Sequence, residues 1–258
     1  MGRNAVLERL DAGQVLVGLC NMYPAAGIIE AMCPGWDFVW IDCQHGQHDY
    51  ISALTGIRTA CSVGVETVLR VPSAGDGAMI RYLDADPSVL MVPMMNSAEE
   101  ARALVRAVHF PPRGERSYGG RRMVDLHGRE YFSSRRLAVM AQIETVRAVA
   151  AAEAIIATDG IDLLFFSGDD LKLSMGLDIN ALVTQTQALA EAMAAVAEAA
   201  RKAGKFCGLI APDIESLAMA RLLGYQLIVA GVDVGFLRSQ SARQLSAFRA
   251  ALGGGPQA

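Results

Sequence analysis

Phe38-Val39-Trp40-Ile41-Asp42-Cys43-Gln44-His45-Gly46 is an apolar run of strand length that ends abruptly in an acid, an amide, an imidazole and a glycine. Near-continuous hydrophobicity, rather than alternation, marks a strand covered on both faces, as in parallel sheets. Eight such runs recur, at residues 15–20, 37–44, 66–72, 89–94, 137–144, 162–167, 206–211 and 226–232. Amphipathic or Ala-rich stretches lie between them, and 97–108, 146–157 and 180–203 read as helices. This alternation predicts an α/β protein with a (β/α)8 TIM barrel, in preference to an open doubly wound sheet. At 258 residues the chain has the length of one such barrel. No Pro/Gly/Ser-rich linker divides it, so residues 1–252 read as a single barrel domain and 253–258 as a flexible tail. The longest irregular stretch, 110–134, is rich in Arg and Gly and is expected to cover the barrel's mouth.

The composition argues against several partners. A net charge of -4 offers nucleic acid no basic footprint. The apolar runs are too short to span a membrane. Met1-Gly2-Arg3-Asn4-Ala5-Val6 lacks the apolar core of a signal peptide, and Val6 stands where myristoylation needs Ser or Thr. Cys20, Cys33, Cys43, Cys61 and Cys207 are odd in number, form no Cys-x-x-Cys pair and sit in apolar stretches. They read as buried reduced thiols in a cytoplasmic protein.

Chemistry in such barrels gathers at the carboxyl ends of the strands. There the sequence places Asp42 and His45 after strand two, Arg70 after strand three, Gln142 and Glu144 after strand five, and Ser167-Gly168-Asp169-Asp170 after strand six. Glu144 and Asp170 are the natural metal ligands. Two carboxylates without clustered thiols or imidazoles suit a hard divalent ion, Mg2+ or Mn2+, with Co2+ also accommodated. Helix-capping roles for both carboxylates are the alternative. Arg70 interrupts an apolar strand, where a guanidinium needs a partner, and its fork suits a carboxylate or an enolate oxygen. His45 reads either as a proton-transfer group or as a satisfied core histidine. An HxxH metal motif with His48 lacks a third ligand, and His109 and His127 have no supporting context.

With these residues in place, the chain resembles the HpcH/HpaI family of class II, metal-dependent 2-oxo acid aldolases. The resemblance runs through "GWDFVWIDCQHG", "VLRVP", "VLMVPMMNSAEEA", "FPPRGERSYGG", "AQIET", "DLLFFSGDDLKLSMG" and "VAGVDVGFLR", in that order. It implies reversible cleavage of 4-hydroxy-2-oxo acids to an aldehyde and pyruvate, or a related oxo acid such as hydroxypyruvate. By the same resemblance His45 is the general base and acid, Asp84 the carboxylate that orients it, and Arg70 the transition-state stabiliser. Glu144 and Asp170 hold the metal, while Gln142 and the Gly168-Asp169-Asp170 backbone contact the oxo acid. It also implies a homohexamer with exchanged C-terminal helices. The chemistry is coherent, because a divalent ion that chelates the oxo acid stabilises enolate charge as a Lewis acid.

Three positions depart from the family pattern. Gln44 replaces the usual Glu, Asp86-Pro87 replaces a Gly-Ala-like pair, and Ser167-Gly168-Asp169 replaces Gly-Pro-x, bringing an extra carboxylate to the oxo-acid cradle. Lys172 as a Schiff-base lysine, an acyl-CoA lyase of the citramalyl/malyl-CoA type, and a non-catalytic oxo-acid-binding barrel are the rival readings. Lys202 and Lys205 precede strand seven, at the wrong end of the barrel for the lysine chemistry.

Overall fold

The computed structural model describes residues 4–74 and 79–253. Eight parallel strands close into a barrel in sequence order: β1 (Leu16–Asn21), β2 (Phe38–Asp42), β3 (Glu66–Arg70), β4 (Val89–Val92), β5 (Ala138–Ile143), β6 (Leu163–Phe166), β7 (Phe206–Ile210) and β8 (Leu227–Val232). Every strand falls within, or one residue beyond, an apolar run named above. Helix α1 (Ala5–Asp11) precedes the barrel; α2 (Ala26–Met32), α3 (Tyr50–Ser62), α4 (Met79–Asp84) and α5 (Ala98–Val108) each follow one of the first four strands. Next come α6 (Arg121–His127) and α7 (Tyr131–Ser134), then α8 (Val146–Ile156), α9 (Gly168–Met175), α10 (Gln187–Lys202), α11 (Ile214–Leu223) and α12 (Asp233–Ala251).

Side chains alternate across each strand, so one set fills the barrel and the other meets the helices. Phe38 and Trp40, Val68, Val89 and Met91, Ala138 and Met140, and Leu163 and Phe165 form the inner cluster. Burial of each large apolar side chain contributes roughly 1.5–3 kcal/mol. Gly18 is needed here, because a Cβ on it would lie 2.3 Å from the Phe38 ring. Val6, Leu7 and Leu10 of α1 join the inner cluster and close the amino-terminal end. Asn4 fastens that plug by donating to the Ser88 and Arg136 carbonyls at 2.7 and 2.9 Å. The period of two then puts Asp42, Arg70 and Gln142 at the upper end of the inner face.

Three expectations are corrected. The helix expected over 180–203 begins only at Gln187, because the Asp178 side chain captures the Asn180 N–H and holds a turn. The 110–134 stretch contains α6 and α7, and it does not cover the mouth of its own barrel. It joins a helix to a strand, so it returns to the amino-terminal end, where Arg116 pairs with Asp84 and Arg122 donates to the Ala85 carbonyl. Cys61 is exposed, whereas the other four thiols are buried. Of the expected tail, residues 254–258 lie outside the described residues. No helix among the described residues is long and apolar enough to cross a membrane.

Candidate active site

Asp42 and Arg70 are register partners on β2 and β3, which sets their side chains on the same face. Arg70 Nε donates to Asp42 Oδ1 at 2.8 Å, and Nη2 donates to Oδ2 at 2.7 Å. The guanidinium carbon lies 4.6 Å from the centre of the Trp40 ring, which itself packs edge-on against Phe165. The third nitrogen, Nη1, has only a long 3.5 Å contact to Gln142 Oε1. Arg70 is thus fixed by an ion pair and an aromatic face, with one nitrogen left to engage a ligand. Burial pushes the Asp42 carboxyl pKa up, but Arg70 and the Gln44 and His45 amides outweigh it and hold the group below its usual range.

Gln142 Nε2 donates to Glu144 Oε2 at 2.6 Å, and the Met94 backbone N–H donates to Oε1 at 2.5 Å. Met94 takes the left-handed conformation, φ 55°, to make that approach. Asn96 holds the turn by donating to the Met94 carbonyl at 2.8 Å and accepting from the Thr145 hydroxyl, while Thr145 caps α8. Burial pushes the Glu144 carboxyl pKa up, and the nearby Asp170 carboxylate adds to the rise, against the Met94 N–H. Two neighbouring carboxylates, one buried, form a hard donor set that a divalent cation would neutralise. No cluster of three or more His, Cys, Asp or Glu suited to a metal occurs among the described residues.

Helix α9 presents its amino terminus at the same end of the barrel. Ser167 occupies its N-cap without a side-chain cap bond, leaving first-turn amides available to an anion. The extra carboxylate of Asp169 points outward: its side chain is 79% exposed and pairs with Lys172 at 2.9 Å. Lys172 is further tied to the Ile179 carbonyl at 3.0 Å, so the lysine expected of a Schiff-base mechanism is already engaged.

His45 follows β2 on an exposed loop, and its ring makes no hydrogen bond among the described residues. The structure does not bring Asp84 to it. Asp84 ends α4 at the amino-terminal side of the barrel, and its carboxylate accepts from Arg116 at 2.8 Å. His48 is a brace. Its Nε2 lies 3.0 Å from Asn21 Oδ1, and Asn21 donates to the buried Asp233 at 2.8 Å. Asp86 at φ 64° binds His127 and Arg135, which explains the departure at that position as an anchor for the 110–134 segment. Trp40 and Asn96 were missed in the sequence, as was the role of the Met94 backbone N–H. Trp40 reads there as one more core apolar residue, and a backbone N–H carries no residue-type signal.

A family model described as HpcH/HpaI aldolase/citrate lyase matches residues 24–239. A hydroxypyruvate/pyruvate aldolase of Delftia acidovorans is 32% identical, over 92% of this chain and 87% of its own. A 4-hydroxy-2-oxovalerate aldolase of Rhodococcus jostii is 33% identical, over 95% of this chain and 96% of its own. Among solved structures, an HpcH/HpaI aldolase/citrate lyase family protein from Burkholderia cenocepacia superposes with a TM-score of 0.87 at 31% identity, covering 96% of this chain and 100% of that one.

Proposed function

We propose a reaction from one premise: the chain belongs to the HpcH/HpaI aldolase/citrate lyase family. It is a 2-oxo acid aldolase, a carbon–carbon lyase. Its substrates are 4-hydroxy-2-oxo acids, cleaved reversibly to an aldehyde and pyruvate or hydroxypyruvate. The observation that carries this is the fixed guanidinium of Arg70, with one nitrogen free, beside the Gln142–Glu144 pair at the strand ends. Cleavage removes the proton of the C4 hydroxyl, breaks C3–C4 and leaves enolate charge on the oxo-acid fragment. Nη1 of Arg70 meets that charge with a donor already oriented. His45, free and exposed, takes the hydroxyl proton and returns one to C3. Gln142 and the α9 amides hold the substrate carboxylate. Glu144 and Asp170 hold a divalent ion, magnesium or manganese, which when bound supplies Lewis acidity to the oxo acid.

The assembly is a homohexamer. The exposed Phe236, Leu237, Leu245 and Phe248 of α12 support this reading, because an apolar helix face of that extent calls for cover. In it Asp84 of the partner subunit orients His45, a role that a single chain does not fulfil. Free thiols at all five cysteines fit a cytoplasmic location. A coupled pyruvate-release assay over 4-hydroxy-2-oxo acids tests the reaction. Activity is expected to vanish with EDTA and return with Mg2+ or Mn2+; borohydride trapping of pyruvate on the protein would refute the metal-dependent reading.

A further inference from the structure

Asp84 is bound differently from the more deeply buried paired aspartates. Asp42, Asp86 and Asp162 are nearly closed off from solvent, and each gives both carboxylate oxygens to partners. Asp42 accepts from Arg70 Nε and Nη2, Asp86 binds Arg135 and His127, and Asp162 accepts from Arg136 and the Val139 N–H. Asp84 gives only Oδ1, to Arg116 Nη2 at 2.8 Å. Its side chain stays 22% exposed, whereas that of Arg116 is 4% exposed. Oδ2 accepts no hydrogen bond among the described residues. Asp84 lines an open groove of about 550 Å3 together with Tyr50, Leu54, Gly120 and Leu126, so an incoming donor can reach it.

The seat behind this carboxylate is built by the 110–134 segment. The Arg116 guanidinium lies 4.7 Å from the centre of the Phe110 ring, and the Arg116 backbone N–H donates to the His109 carbonyl at 3.0 Å. Phe110 packs edge-on against the buried Tyr131, with ring centres 5.6 Å apart. The Tyr131 hydroxyl donates to the Gly119 carbonyl at 2.6 Å and accepts from the Gly119 N–H at 3.3 Å. Gly120 follows at φ 77°, and a Cβ on it would lie 2.8 Å from the Asp84 carboxyl. A carboxylate held by one hydrogen bond can swivel about it. Here Arg116 fixes one oxygen, and the Gly120 backbone bars rotation from the other side.

We propose that Arg116 is a positioning residue for the reaction: it holds Asp84 Oδ1 so that Oδ2 is presented to the imidazole of His45 of the partner subunit. The proposal rests on the reading in which Asp84 serves His45 across an interface. Arg116 is buried at the amino-terminal side of the barrel and reaches neither substrate nor metal, so it acts through Asp84 alone. An exposed acceptor set on a buried cation is the arrangement an orienting carboxylate needs, because its own position must be fixed before it can fix another group. Misplacement of a group by about 1 Å can cost about 100-fold in rate even when its cause lies far from the chemistry.

Steady-state kinetics of the assembled, metal-loaded enzyme test this, with the 4-hydroxy-2-oxo acid that it cleaves fastest. Arg116→Met keeps the apolar stem against Phe110 and removes the bond to Asp84. It is expected to lower kcat about 10–100-fold with KM unchanged, and Arg116→Lys, which restores a cationic donor, should recover part of the rate. In an Asp84→Asn background Arg116→Met should cost nothing further, since both act through one carboxylate. A wild-type kcat in Arg116→Met beside a slow Asp84→Asn would overturn the positioning role and leave the Asp84 reading standing. A wild-type kcat in Asp84→Asn would overturn that reading and this proposal with it. Losses that multiply in the double variant, or a raised KM with kcat unaltered, would make Arg116 a structural prop and overturn the proposal.

Discussion

Asp42→Ala strands a buried guanidinium. In the native chain Asp42 is fully buried and accepts from Arg70 at 2.8 and 2.7 Å, as well as from the Gln44 amide at 3.0 Å. After truncation Arg70 keeps only the Trp40 face and the 3.5 Å contact to Gln142. Removing one partner of a buried pair costs about 3–5 kcal/mol, a large share of a typical stability of roughly 5–15 kcal/mol. Asp42→Asn retains one acceptor and should cost less, roughly 2 kcal/mol, the worth of a charge-assisted hydrogen bond. Urea denaturation gives the loss from the shift in midpoint at constant slope. The double variant Asp42→Ala with Arg70→Leu should recover part of it, since the penalty belongs to the unpaired charge. The pair also sets an acid limit. The folded Asp42 pKa is depressed, so its stabilisation is complete above the unfolded carboxyl value of about 3.9 and drains as pH falls through the lower folded value. The gap between wild type and Asp42→Asn should therefore close with acidification below about pH 4. A loss under about 1 kcal/mol for Asp42→Ala, or a double variant as unstable as the summed singles, would refute the reasoning.

Other outcomes follow from the same geometry. His45→Ala should lower turnover by about 10²–10⁴-fold while calorimetric metal affinity stays unchanged; a wild-type rate would remove His45 from proton transfer. Glu144→Gln should weaken Mn2+ binding by more than about 100-fold in calorimetry, because a ligand carboxylate is lost where outer-shell partners alone are worth 10–100-fold. Asp84→Asn should lower stability by roughly 1–3 kcal/mol through Arg116. It should also slow turnover in the assembled enzyme, and normal turnover would confine Asp84 to its bond with Arg116.

The barrel was legible because parallel strands buried on both faces need unbroken apolar runs, and eight such runs stand out between helical stretches. The gathering of polar residues at the strand ends was legible too. Once strand ends are known, period two brings Asp42, Arg70, Gln142 and Glu144 to one face whatever the loops do. The pairing inside that set was not legible. Asp42 serves Arg70 because the two are register partners, and registers are decided between strands far apart in sequence. The left-handed turn at Met94 that aims a backbone amide at Glu144 leaves no residue signature. The direction of the 110–134 segment depends on which end of the barrel it returns to, and it binds Asp84 and Asp86 rather than roofing the mouth. Sequence determines what is buried along each element, because burial follows hydrophobic period. Only tertiary structure decides which charges meet, because each meeting depends on register, on backbone conformation and on the end of the barrel where a segment lands.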